Sequence, residues 1–274
     1  KWADSVWDIG AAFGTVAGNK DEITVEITTY RSESYDPTSR KPDVEFGKSI
    51  EADLARRDFT INAMALELTT EEPTFIDLFN GVVDLQKKII KTPGKPEDSF
   101  SDDPLRMMRA ARFMSQLNFE VDQSVLVAIK NMAARLEIIS AERIRDEFIK
   151  IMMSPSPRLG ITLLVETGLA DYFLPEVPKL KLEIDEHHHH KDVYEHSLTV
   201  LEQAIALEDR LAGPNLTLRL AALLHDIGKP KTKQLIAGGG VSFHHHEVVG
   251  ARMSKERMKK LRFDNHIIND VSQL

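Results

Sequence analysis

The run Arg56-Arg57-Asp58-Phe59-Thr60-Ile61-Asn62-Ala63-Met64 places two guanidiniums, a carboxylate and an amide close together, ahead of an apolar segment. Arginine forks match phosphate oxygens. Asp58 can accept from a ribose hydroxyl, and Asn62 can both donate and accept. These types suit a nucleoside triphosphate; the plainer alternative is a solvated charged turn before an amphipathic element.

A second constellation is Asp102-Asp103-Pro104-Leu105-Arg106, continued by Arg109 and Arg112. Asp103 and Arg106 are three apart, so at a helix start they share a face. One accepts and the other donates. Cytosine and adenine both present an exocyclic amino donor beside a ring-nitrogen acceptor, and an Asp–Arg pair matches both. Uracil and guanine would leave both side chains mispaired, at roughly 1–3 kcal/mol for each buried group left unsatisfied. Arg109 and Arg112 extend the basic stripe toward phosphates. The alternative is a pair of acids complementing the helix dipole, with an i,i+3 surface ion pair.

The third constellation is built of histidine. His225-Asp226 stands in Leu223-Leu224-His225-Asp226-Ile227-Gly228-Lys229-Pro230, with His196 upstream and His244-His245-His246-Glu247 downstream. His and Asp groups from separate helices can converge on a divalent metal. The alternative is packing and capping. His187–His190 reads as a polar linker as readily as a metal site, and Lys255, Arg257, Lys259, Lys260 and Arg262 read as a solvated helix face before an RNA contact.

The elements that must position these groups differ along the chain. Glu22–Tyr30 is β-branched and alternating, which predicts a strand with Glu22, Thr24, Glu26 and Thr28 on one face and Ile23, Val25 and Ile27 on the other. Arg31–Ser49 holds Pro37, Pro42 and Gly47 among polar residues and reads as a long loop. Phe59–Leu68 is apolar and fits helix or strand. Beyond Pro73 the pattern is helical throughout: a helix from Pro104 to Leu117, then 123–135, 140–152, 157–167, 192–210 and 215–227. Gly238-Gly239-Gly240 marks a turn. The expected class is α+β: an incomplete nucleotide-binding α/β head at 1–75, an all-helical neck and body at 76–185, and a helical metal-binding domain at 186–274.

Composition sets outer limits. With 274 residues and 42% hydrophobic content, the chain can build two or three packed domains. A net charge of −8 argues against bulk-charge coating of nucleic acid, so any such contact needs local basic patches. There is no cysteine, hence no disulfide or thiolate metal site, and no apolar run long enough to span a bilayer. These features lead us to expect a cytoplasmic protein without membrane contact. The chain opens on Lys1-Trp2 in what reads as the middle of an element, as a fragment would.

Three motifs in this order, RRDFTINAM, the linking DLFNGVVDLQKKIIKTPG at 77–94 and DDPLRMMRAARF, resemble the class II tRNA nucleotidyltransferases, that is, the bacterial CCA-adding enzymes and their poly(A) polymerase relatives. The resemblance covers nearly the whole chain. It implies that CMP and AMP are transferred from CTP and ATP to a tRNA 3′ end. It assigns Arg57, Asp58 and Asn62 to ribose and triphosphate, and Asp103 and Arg106 to an amino-acid template for the incoming base, with Arg109 nearby. Where the family has Glu, this chain has Asp102. The family's GG-x-x-RD and DxD motifs, whose carboxylates hold Mg²⁺, are not found, so the sequence is not expected to catalyse well by itself. Glu26 is the candidate for the family's additional carboxylate; an ordinary exposed strand residue is the alternative. The histidine pattern resembles the HD superfamily of metal-dependent phosphohydrolases. That implies His196, His225 and Asp226 as ligands to a divalent metal, His246 as a further one, and a last Asp that is either Asp270 or lies elsewhere. Phosphohydrolysis as the main activity, poly(A) addition and a non-catalytic RNA-binding fragment stand as alternatives.

Overall fold

The computed structural model describes residues 2–7, 15–34, 43–46, 49–182, 192–236 and 240–274. Its backbone divides into two units, Lys1–Asp103 and Pro104–Leu274.

The first unit opens with an antiparallel sheet in the order β1 (Ser5–Trp7), β2 (Thr15–Lys20), β3 (Ile23–Thr28). Asp21 and Glu22 both take positive φ, 48° and 67°, which gives the two-residue turn that matches the twist of a hairpin. Lys20 therefore pairs with Ile23 and Ala17 with Glu26. The expected strand is present but shorter, because Glu22 belongs to the turn. Its alternation holds: Glu26 shares a face with Trp7 and Ala17, while Val6, Val16, Ile23, Val25 and Ile27 stand exposed on the other.

The loop expected over Arg31–Ser49 contains a strand pair, β4 (Arg31–Ser34) and β5 (Asp43–Phe46), joined antiparallel. Composition misled here because the prolines lie outside the paired residues. Next comes α1 (Ile50–Ala55), capped by Ser49 Oγ accepting from Ala52 N. Phe59–Leu68 splits into a 3-10 turn at Thr60–Asn62 and strand β6 (Ala65–Glu67), which pairs with β7 (Thr74–Ile76). Then follow α2 (Gly81–Lys87), β8 (Ile89–Ile90) and α3 (Pro96–Asp102). Asp77 accepts from the amides of Gly81 and Val82, so one carboxylate satisfies two donors at the start of α2. A Cβ on Gly81 would lie 2.3 Å from the Thr60 carbonyl, so glycine lets α2 sit directly against the 3-10 turn.

The second unit is mostly helical. α4 (Leu105–Leu117) buries Leu105, Met107, Met108, Ala110 and Ala111. After β9 (Glu120–Val121) come α5 (Gln123–Met132), α6 (Ala141–Met152) and α7 (Pro157–Glu166). α4 packs on α6 and α7. Gly160 makes the α7 crossing close: a Cβ there would lie 2.9 Å from the Ala111 carbonyl. The remaining elements are α8 (Val193–Ala206), α9 (Leu216–Leu224), α10 (Lys229–Thr232), the hairpin β10 (Gln234–Ile236) and β11 (Gly240–Ser242), then α11 (His246–Lys260) and α12 (Asn265–Gln273).

The five helices expected between 123 and 227 occur, several ending in 3-10 turns sooner than periodicity indicated. The expectation of helices alone beyond Pro73 is corrected by β7 to β11, which are two or three residues each, too short to show a period. No described helix is long and apolar enough to cross a membrane.

Candidate functional site

The residues of the first motif form a closed network at the end of α1. Asp53, on the last turn of that helix, is 3% exposed. Its Oδ1 accepts from Arg56 Nη2 at 2.5 Å and Nε at 3.2 Å, and its Oδ2 from Arg57 Nη2 at 3.3 Å. Arg57 Nη1 donates to the Asn62 carbonyl at 3.3 Å, while the side chain stays 46% exposed. Asp58 Oδ1 accepts from its neighbour Phe59 N at 2.8 Å and from Asn62 Nδ2 at 3.1 Å. Thr60 anchors the turn, donating Oγ1 to Asp84 Oδ2 and its amide to the Lys91 carbonyl. Arg57, Asp58 and Asn62 are thus brought together as expected, with Asp58 and Asn62 bonded to each other. Asp53 was missed. Its signal was its spacing, three and four residues before the two arginines on a helix.

The second motif spans the end of α3 and the start of α4. Asp102 is the last residue of α3, and Asp103 closes that helix with extended φ −139° and ψ 101°. Arg106 is the second residue of α4 and is 9% exposed. Asp103 therefore stands just before the Pro104 cap of α4, and Arg106 in the first turn of that helix. The helix expected from Pro104 to Leu117 is present as α4, and the short α3 precedes it in the chain. Arg109 stands 5.6 Å from the centre of the Phe113 ring. Arg112, expected to reach phosphates, is instead buried, 4.5 Å over the same ring and paired with Glu147 at 3.0 Å, so it holds α4 to α6.

The third motif converges. His196 lies on α8, His225 caps α9, and Asp226 follows it. His225 Nε2 is 3.1 Å and His196 Nε2 3.8 Å from Asp226 Oδ2, and His246 Nε2, at the start of α11, is 3.5 Å from Oδ1. Lys229 Nζ lies 2.9 Å from Oδ2. Ligand-capable atoms of His196, His225 and Asp226 all lie within 4.8 Å of one another. Asp270, considered for the last ligand, is exposed on α12 and outside this group. His187–His190 lie outside the described residues.

Two carbonyls orient the rings. His225 Nδ1 bonds the Ala222 carbonyl at 2.9 Å, and His246 Nδ1 the Phe243 carbonyl at 2.8 Å. A carbonyl only accepts, so each Nδ1 carries a proton and each ring turns its Nε2 toward Asp226. Lone pairs and a buried carboxylate facing one another require a cation between them or a proton on the imidazole. The electrostatics agree. Burial pushes His225 toward its neutral form, but the Asp226 carboxylate outweighs it and the pKa is raised. Burial pushes Asp226 upward, yet His225 and Lys229 bring it down to about 2. The donor set therefore fits a divalent metal. The group opens into a cavity of about 590 Å³ that Ser242, Phe243 and His244 also line. The approach of α11 depends on Gly228, where a Cβ would lie 2.1 Å from the His246 carbonyl and 2.7 Å from Gly250 N. Lys229 is the residue the reading missed here, though it stands three residues beyond Asp226 in HDIGK.

Three family descriptions match successive parts of the chain: "Poly A polymerase head domain" over residues 1–91, "Probable RNA and SrmB- binding site of polymerase A" over 118–180, and "HD domain" over 193–274. The CCA-adding enzyme of Enterococcus faecalis is 42% identical over 175 residues, which is 64% of this chain and 41% of that enzyme. The CCA-adding enzyme of Ligilactobacillus salivarius is 39% identical over 206 residues, 74% of this chain and 50% of that one. The chain thus spans two fifths to half the length of these relatives. The crystal structure of the Bacillus stearothermophilus CCA-adding enzyme in complex with CTP is similar over 99% of this chain and 55% of its own, with a TM-score of 0.66 and 26% identity. In its head, its RNA-binding segment and its HD domain alike, the chain is similar to the CCA-adding enzymes and poly(A) polymerases.

Proposed function

We propose that this chain is part of an RNA nucleotidyltransferase that adds CMP and AMP to the tRNA 3′ end without a nucleic-acid template, using CTP and ATP. The observation that carries this is the likeness, over 99% of the chain, to a CCA-adding enzyme crystallised with CTP. In this reading Arg57 meets the triphosphate, and Asp58 and Asn62 meet the ribose, exchanging their mutual bond for bonds to the sugar. Asp103 and Arg106 read the pairing edge of the base, with Arg109 beside them. Mg²⁺ bound in the head would activate the attacking 3′-hydroxyl and steady the leaving pyrophosphate. Glu26, exposed on β3, is the candidate here for a carboxylate near it. The chain's own residues contribute orientation and charge complementarity, the larger part of catalysis in phosphoryl and nucleotidyl transfer.

Competition binding of the four nucleoside triphosphates tests the template. Arg106→Ala should reduce the preference for CTP and ATP over UTP and GTP by about tenfold or more, with the fold intact. Unchanged selectivity would sink the assignment of Arg106.

The convergence at Asp226 supports a second site in the same chain. His196, His225 and Asp226, with His246, would hold a divalent metal that when bound polarises a phosphoryl oxygen and acidifies water. Lys229 would then stand beside the metal as a fixed positive charge. Metal analysis of the purified protein, followed by Mn²⁺ titration, should give a saturable site in the parent and about a hundredfold weaker binding in His225→Ala. Equal Mn²⁺ binding by both proteins would remove this site.

A further inference from the structure

Asp53 is a buried carboxylate to which the nucleotide-binding reading gives no task. A buried carboxylate needs paired cations, and here the cations are Arg56 and Arg57. One oxygen takes both the Nε and the Nη2 of Arg56, and the other takes Nη2 of Arg57. From the other side, Nη1 of Arg57 is held by the Asn62 carbonyl. Both amino groups of Arg57 are therefore tethered to the protein, while nearly half of its side chain faces solvent. A guanidinium held in this way is oriented before any ligand arrives, and its rotamer entropy is already spent. The shared carboxylate also offsets the repulsion between the adjacent cations.

We propose that Asp53 is a positioning residue for the triphosphate contact: it fixes the plane of the Arg57 guanidinium so that its exposed edge meets a phosphate. Asp53 itself does not touch the nucleotide. This rests on the assignment of Arg57 to the triphosphate made above.

The test is calorimetric binding of CTP and of CMP to Asp53→Asn and Asp53→Glu, each alone and combined with Arg57→Ala, with thermal unfolding recorded for every protein. Asp53→Asn should weaken CTP by about tenfold and leave CMP nearly unchanged. In the Arg57→Ala background it should add nothing, because the tethered group is gone. Asp53→Glu keeps the charge and secures the fold should the amide variant melt, but it displaces the fork and should weaken CTP severalfold. Parent-like CTP affinity in the folded Asp53 variants would overturn the proposal. So would CTP losses that multiply when Asp53→Asn and Arg57→Ala are combined, or equal losses for CTP and CMP. Arg57→Ala binding CTP as tightly as the parent would instead overturn the assignment of Arg57, and this proposal with it.

Discussion

Arg219 and Arg57 are each held by a carboxylate, and their surroundings lead to opposite outcomes. Arg219, on α9, is 4% exposed. Its Nε and Nη2 meet the two oxygens of Glu208 at 2.7 and 2.6 Å, and its Nη1 donates to the carbonyls of Met152, the last residue of α6, and Ser154 just after it. Nothing of that guanidinium remains for a ligand. It fastens the HD segment to the helices before it. Arg57 is held at two nitrogens, with solvent along the rest. The same fork serves as a rivet when fully enclosed and as a presented charge when half enclosed.

Removing the enclosed arginine should have the largest effect. Arg219→Met leaves Glu208 buried without its cation and the carbonyls without their donor. Breaking a buried pair from one side costs about 3–5 kcal/mol, read as a fall in denaturation midpoint. The pH profile sharpens the contrast. The Arg219 hydrogen bonds hold the Glu208 carboxyl below its ordinary value. A depressed carboxylate contributes stability that is complete above its unfolded pKa of about 4.3 and is lost as pH falls through the folded value. In Arg219→Met, burial without a cation should raise that folded pKa above the unfolded one. The Glu208 contribution then reverses, and stability declines as pH rises through the 4–6 range. Acid unfolding curves of the two proteins that stay parallel would break the account of Glu208.

Arg158 should give the smallest effect. It too is chelated, by Glu202 at 2.7 and 2.9 Å and by Glu195 at 2.9 Å, but both acids are about half exposed. Water competes for each partner, so Arg158→Ala should cost no more than about 1 kcal/mol. A cost equal to that of Arg219 would mean that enclosure is not what separates these arginines.

What could be read before the fold was known divides along the same line. Arg57, Asp58 and Asn62 lie within six residues of one another, so their spacing already places them together. The histidines were findable because His225-Asp226 is adjacent in sequence and its partners are few. Arg112 was misread because charge alone does not show which side of α4 faces α6; burial against Glu147 depends on a helix 35 residues away. The short helix α3, ending at Asp102, was not foreseen for a local reason. Proline suits the first turn of a helix and disfavours the α conformation just before it, and the sequence ahead of Pro104 is itself helical. The strand pairs β4–β5 and β10–β11 are too short to show a period.

Gly228 has a consequence for inheritance. It bears no functional group, yet the start of α11 rests on its bare Cα, with the His246 carbonyl 2.1 Å from where a Cβ would stand. Every codon change that puts a side chain there sets a Cβ against the backbone of His246 and Gly250, so the packing of α11 beside Asp226 must change. The geometry of the His–Asp cluster can therefore be lost in one nucleotide while every histidine remains in the gene. Counting histidines in a genome will overstate how many such sites still close.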